Sequence, residues 1–147
     1  MTGSESEAHA LWAEACDLEE AGDITEAMRL YLMSASTGYT PAQLNLGNLL
    51  DDRAVPRRPT EAVYWYKRAV KGGEPRGAWN LAMHHRRLGS RRWYLHWLRV
   101  AAAMGEQDAR AAVAALPLRG SSWWILEDVL DPPTARIGFE ARVVPLR

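Results

Sequence analysis

Apolar residues recur along most of this chain at intervals of three and four. Ala42, Leu46 and Leu50 stand at i, i+4 and i+8. Ala62, Trp65, Tyr66 and Ala69 stand at i, i+3, i+4 and i+7. Such spacing gathers side chains on one face of an α-helix. Gly38, Gly73 and Gly105 follow apolar stretches, where a left-handed C-cap suits glycine. Pro41 and Pro75 come just after two of these stops and suit a first helical turn. Asp23 and Thr60 have the chemistry of N-caps. The pattern predicts helices at about 5–20, 24–37, 41–52, 59–71, 75–88, 91–103 and 107–115.

The pattern also repeats. Placing "PAQLNLGNLL" over "RGAWNLAMHH" sets Asn45 on Asn80, Leu46 on Leu81 and Gly47 on Ala82. Placing "TEAMRLYLMSASTG" over "TEAVYWYKRAVKGG" sets Leu30 on Trp65, Tyr31 on Tyr66, Ser34 on Ala69 and Gly38 on Gly73. Both use an offset of about 35 residues, a period typical of paired helices. A third copy, "WYLHWLRVAAAMG", sets Trp97 on Trp65 and Leu98 on Tyr66, with three residues lost between Leu88 and Trp93. Gly47 and Ala82 mark places where a bulky side chain would hold a partner helix away; on the same offset Trp12 takes that place in the first unit.

These residues resemble the sel-one-like repeat, a branch of the tetratricopeptide superfamily. "AQLNLG" matches its A-x-x-x-L-G first helix, and "AVYWYKRAVKGG" its A-x-x-W-[YF]-x-x-A-A second helix. The likeness runs from about residue 7 to 115 and is closest over 41–77. The second unit departs from it, with "DDRAVPRRP" replacing a glycine-rich inter-helix loop. The resemblance implies an all-α fold: a right-handed α-α superhelix (solenoid) of about three helix-turn-helix repeats, a capping helix and an extended C-terminal tail. The repeat domain is expected over 5–116, with units at about 7–40, 41–76 and 77–108 and a closing helix at 107–115. In such proteins the first helices line the concave side, and the family consists mostly of adaptors without chemistry of their own. By analogy with tetratricopeptide grooves, Asn45 and Asn80 would bond the backbone of an extended peptide, with Asn48, Met83, His84 and Arg87 near the same face. The competing expectation is that both asparagines satisfy neighbouring helix ends or turns. If they face a groove, replacing both with Ala should spare thermal stability.

Charge divides along the chain. Acidic and basic residues balance at 18 each, so nothing pulls the whole molecule toward nucleic acid or an anionic membrane. Every charged residue from Met1 to Met28 is acidic, whereas from Arg53 to Arg99 only Glu61 and Glu74 oppose the basic residues. Arg86, Arg87, Arg91 and Arg92 in "HHRRLGSRRW" form a basic edge at the turn of the third unit. As a solvated turn it complements a helix C-terminus; as a site it suits carboxylates, phosphate or RNA.

Candidate chemistry is sparse. His9, His84, His85 and His96 show no i, i+4 pair that would aim two imidazoles at one metal, and His84 and His85 are expected on different faces. Cys16 is the single cysteine and has only acidic neighbours, which suits a buried apolar role in a reducing compartment. No phosphate-binding loop or nucleophile elbow occurs. The expectation is therefore no enzyme, no cofactor and no metal. Trp65 and Tyr66 point inward, Lys67, Arg68 and Lys71 outward, and Tyr64 remains as a surface contact.

Residues 117–147 have another character. Ser121–Leu130, with Trp123, Trp124 and Leu126, reads as a short capping helix stopped by Pro132 and Pro133. "RIGFEARVV" alternates like a strand and suggests association. Together these features predict a cytoplasmic, bacterial, non-catalytic adaptor that binds a protein or peptide. An RNA or acidic-partner module using the His84–Trp93 edge is the alternative, and an accessory subunit of an enzyme complex the third. A homodimer through the tail or through the acidic and basic ends is a further option. Nucleic acid is disfavoured, and neither a secretory signal nor a membrane span is expected.

Overall fold

The computed structural model describes residues 3–116. The expected tail elements, Ser121–Leu130 and the strand near 136–143, lie outside the described residues. Those described form an all-α structure with no strand among them. Seven helices run in order: α1 (Gly3–Ala21), α2 (Ile24–Ser36), α3 (Thr40–Asn48), α4 (Pro59–Lys71), α5 (Pro75–Arg87), α6 (Arg91–Met104) and α7 (Gln107–Ala114). Each packs against its neighbours in the chain. The predicted helix starts and stops agree with these bounds to within two residues, except at α3.

That exception is informative. The chain does not continue as α-helix to residue 52 but widens into a π-helical turn over Leu49–Arg53. A π turn holds an extra residue per turn. Leu49, Leu50 and Asp51 consequently all face inward, at 0, 2 and 5 % exposure.

Local chemistry explains the ends. Asp23 caps α2, its carboxylate accepting from the Glu26 amide at 3.2 Å. Thr60 is not the cap of α4: Arg58 holds that position and Pro59 opens the helix. Proline at N1 has no N–H to satisfy, so the threonine falls inside the first turn. Gly38, Gly73 and Gly105 have φ of 97°, 92° and 108°, the left-handed region expected at these stops.

The core sets large residues of the second helices against small ones. Tyr31, Tyr66 and Leu98 are buried at equivalent places, beside Ala35, Ala69 and Ala101. Leu30 is buried too, while its counterparts Trp65 and Trp97 lie half-buried at the core margin. Gly47 lies under the ring of Tyr66; a Cβ there would stand 2.6 Å from ring atom Cε1. Buried polar groups bond across helices. Ser34 donates to the Ala8 carbonyl at 2.7 Å, and Gln43 to the Ala35 carbonyl at 3.2 Å.

The first unit aligns differently from the sequence expectation. Ala15, not Trp12, corresponds to Gly47: it is fully buried, and Cys16 beside it meets Tyr31 as Asn48 meets Tyr66. Ala15 precedes its tyrosine by 16 residues and Ala82 precedes Leu98 by 16, whereas Gly47 precedes Tyr66 by 19. The odd unit is therefore the second, with three extra residues around the π turn. Trp12 instead joins His9 and Tyr39, its ring 5.4 and 6.0 Å from theirs.

Candidate functional site

A row of half-buried polar side chains runs across α1, α3, the π turn and α5. The same three-member arrangement occurs twice in it. In the first unit the Tyr31 hydroxyl and the Asn45 amide both reach Cys16 Sγ, at 3.3 and 3.6 Å. In the second the Tyr66 hydroxyl and the Asn80 amide both donate to Asn48 Oδ1, at 3.2 and 2.7 Å. Each time a second-helix tyrosine and the asparagine of the next unit converge on one atom, Cys16 Sγ or Asn48 Oδ1. Asn45 also donates to the Tyr31 oxygen at 3.2 Å, and Tyr31 donates to Glu19 Oε2 at 2.7 Å.

Burial is the main reason the Tyr31 phenol holds its proton well above the usual tyrosine range, with its bonds to Cys16 and Glu19 adding to the effect. Tyr66 is raised likewise by burial, then by the negative charges of Asp51 and Asp52. Both hydroxyls are thus fixed donors at neutral pH. Asn45 and Asn80 bond side chains of neighbouring units rather than helix ends or turns. The expectation that both could be removed without loss of stability does not fit this arrangement.

Beyond the asparagines the row is charged. Arg53 of the π turn lies 3.9 Å from Glu19 on α1. Asp51 of the same turn takes a hydrogen-bonded ion pair from Arg87 on α5, and Arg57 lies 3.6 Å from its other oxygen. The π turn thus clasps the units on either side of it. Asp51 raises the Arg87 pKa through this hydrogen bond.

The remaining sequence candidates are dispersed. Met83 packs half-buried against the Ala82–Leu98 cluster. Arg86 is exposed at the end of α5, and Arg91 is exposed at the start of α6. Arg92 places its guanidinium 5.3 Å from the Trp93 ring centre. Arg87 and Arg92 therefore serve different contacts. The rings of His84 and His85 touch edge to face at 5.2 Å, and His84 faces the side of Asp51 and Arg87. His85 also stacks on Trp93 at 6.0 Å. Burial pushes the His85 pKa down to about 4, helped by the positive charges of His84, Lys67 and His96. Burial likewise lowers His84. Tyr64 is exposed, with Arg68 donating to its hydroxyl at 3.2 Å.

Cys16, Glu19, Asp51 and Arg53 belong to the row, and Tyr31, Tyr66 and Arg57 bond to it, though none was expected there. The signal for Cys16 lay in the 16-residue spacing from Ala15 to Tyr31. Among the described residues no group of three His, Cys, Asp or Glu side chains could hold a metal, and no helix is long and apolar enough to cross a membrane. No family model matches the chain, and no curated protein matches it.

Proposed function

We propose that this chain is a non-catalytic adaptor of the sel-one-like kind, binding an extended protein segment along its first helices. In this reading the seven helices form a right-handed solenoid of three helical hairpins and a closing helix, with α1, α3 and α5 on the concave side. The observation that carries the reading is the repeated Tyr–Asn–acceptor arrangement. It holds Asn45, Asn48 and Asn80 in fixed orientations on a half-buried strip. Polar groups ordered before a partner arrives lower the entropic cost of binding. The Asn80 amide oxygen and the Asn48 amide nitrogen make no hydrogen bond among the described residues and suit a peptide backbone.

Binding of RNA or an acidic partner through the Arg86–Arg92 edge has less support. Arg87 is engaged by Asp51 and Arg92 lies over Trp93.

Panning a displayed random-peptide library on the full chain tests the adaptor reading. The expected result is enriched peptides whose binding falls in an N45A/N80A variant, measured well below its melting temperature with helix content checked. No enrichment, or binding indifferent to the variant, would overturn it.

A further inference from the structure

Two open pockets flank the π turn. One, of about 310 Å³, is lined by Cys16, Glu19, Glu20, Tyr31, Asn45 and Arg53. The other, of about 450 Å³, is lined by Asp51, Arg57, Pro59, His84, Arg87 and Leu88. Residues of one turn enter both, Arg53 on one side and Asp51 on the other.

Their charges differ. The first pocket has two carboxylates to one guanidinium, and that guanidinium lies beside Glu19. Glu20 is left exposed at its rim. The second has two guanidiniums around one buried carboxylate. Asp52 lies 4.0 Å from Arg57 on the solvent side, and Lys67 adds positive charge near His84. Arg57 and Arg87 are about half exposed, at 57 and 47 % of their side chains. Pro59 and Leu88 supply an apolar wall, and Leu88 is 66 % exposed. A glutamate suits this pocket: its methylenes match Leu88 and Pro59, and its carboxylate matches guanidinium forks. A lysine or arginine suits the first.

The first pocket lies among α1, α2, α3 and the π turn, and the second among the π turn, the segment that leads into α4 and the end of α5.

We infer that the two pockets read an extended partner segment carrying a Lys or Arg, which seats beside Glu20, and a Glu, which seats on Arg57. The inference rests on the adaptor reading and names the class of peptide it takes.

The same library panning separates the two ideas. Peptides enriched on the full chain should contain this charge pair. As synthetic peptides, acetylated and amidated so that no terminal charge contributes, they should bind E20Q and R57Q each about tenfold more weakly, the loss of one charge-assisted contact. Both replaced side chains are exposed, and helix content confirms folding. Replacing either charge in the peptide should have the same effect. If peptides are enriched without the pair, or bind both variants unchanged, the inference fails and the adaptor reading stands. If none is enriched, both fail. Tight binding of a single-stranded RNA dodecamer, lost in R57Q, would assign the second pocket to nucleic acid and overturn the inference.

Discussion

Gly47 and Tyr66 are in direct contact: the tyrosine ring occupies the space into which any side chain at residue 47 would project, 2.6 Å from the Cβ position. The third unit solves the same problem differently, with Ala82 facing Leu98. A smaller partner on the second helix leaves room for a methyl group on the first.

The consequence is a sign reversal. Gly→Ala inside a helix ordinarily stabilises by about 0.5–1 kcal/mol. G47A should instead destabilise by about 1–3 kcal/mol, because the ring must move within a packed core. The G47A/Y66L double variant, which copies the third unit, should recover much of what the sum of the single changes loses. Urea denaturation of the four proteins in the cycle checks this; additive effects would contradict the contact.

Asn45 and Asn80 tie successive units together. Removing both amides leaves the Tyr31 oxygen, Cys16 and Asn48 short of donors. N45A/N80A should therefore lower stability by about 1–3 kcal/mol, seen as an earlier urea midpoint without a change of slope. A midpoint equal to that of the parent would show that solvent replaces these bonds at no cost.

The Asp51–Arg87 pair should be asymmetric under mutation. R87A leaves a carboxylate at 5 % exposure with Arg57 as its other guanidinium neighbour. A loss of about 1–3 kcal/mol is expected, below the value for a fully buried pair because Arg87 is half exposed. D51N/R87Q removes both charges and should cost less than R87A alone. Thermal melts of the parent and the two variants compare them.

His85 predicts a dependence on pH. Its folded pKa of about 4 lies below the ordinary value of 6.5, so the folded state favours the neutral ring. Its contribution is complete above about pH 6.5 and is lost as pH falls from there toward 4. Allowing for solvent screening at a partly exposed site, stability should drop by about 1 kcal/mol between pH 7 and 5. H85Q should flatten that part of the curve while His84 and His96 remain. An unchanged slope in denaturation midpoints would assign the drop to other groups.

The helices were legible because their signals are local. Glycine at φ near 90°–110° ends α2, α4 and α6, and three- and four-residue spacing marks their buried faces. The π turn was not legible, since Leu49, Leu50 and Asp51 in "LLDD" read equally well as a continuing α-helix. The misplaced Trp12 followed from it: three additional residues beyond Gly47 shift the first-unit comparison by nearly one turn. The Tyr–Asn–acceptor arrangement was hidden for a related reason, because its acceptor is Cys16 in one unit and Asn48 in the next. Asn45 and Asn80 were visible as a repeat, but their side-chain partners were not. The three members of each arrangement stand on three different helices.

The third unit carries Met83 and Leu98 where the second has Asn48 and Tyr66, and the corresponding place on α7 is Ala112. Hydrogen bonds are directional and fix how far one helix is turned against another; dispersion contacts tolerate sliding. The first two junctions are thus keyed by converging side chains, whereas the last is an apolar seam with an exposed bond, from Arg110 to the Ala102 carbonyl at 3.2 Å. Among the described helices, amide exchange should be faster in α6 and α7 than around α3 and α4.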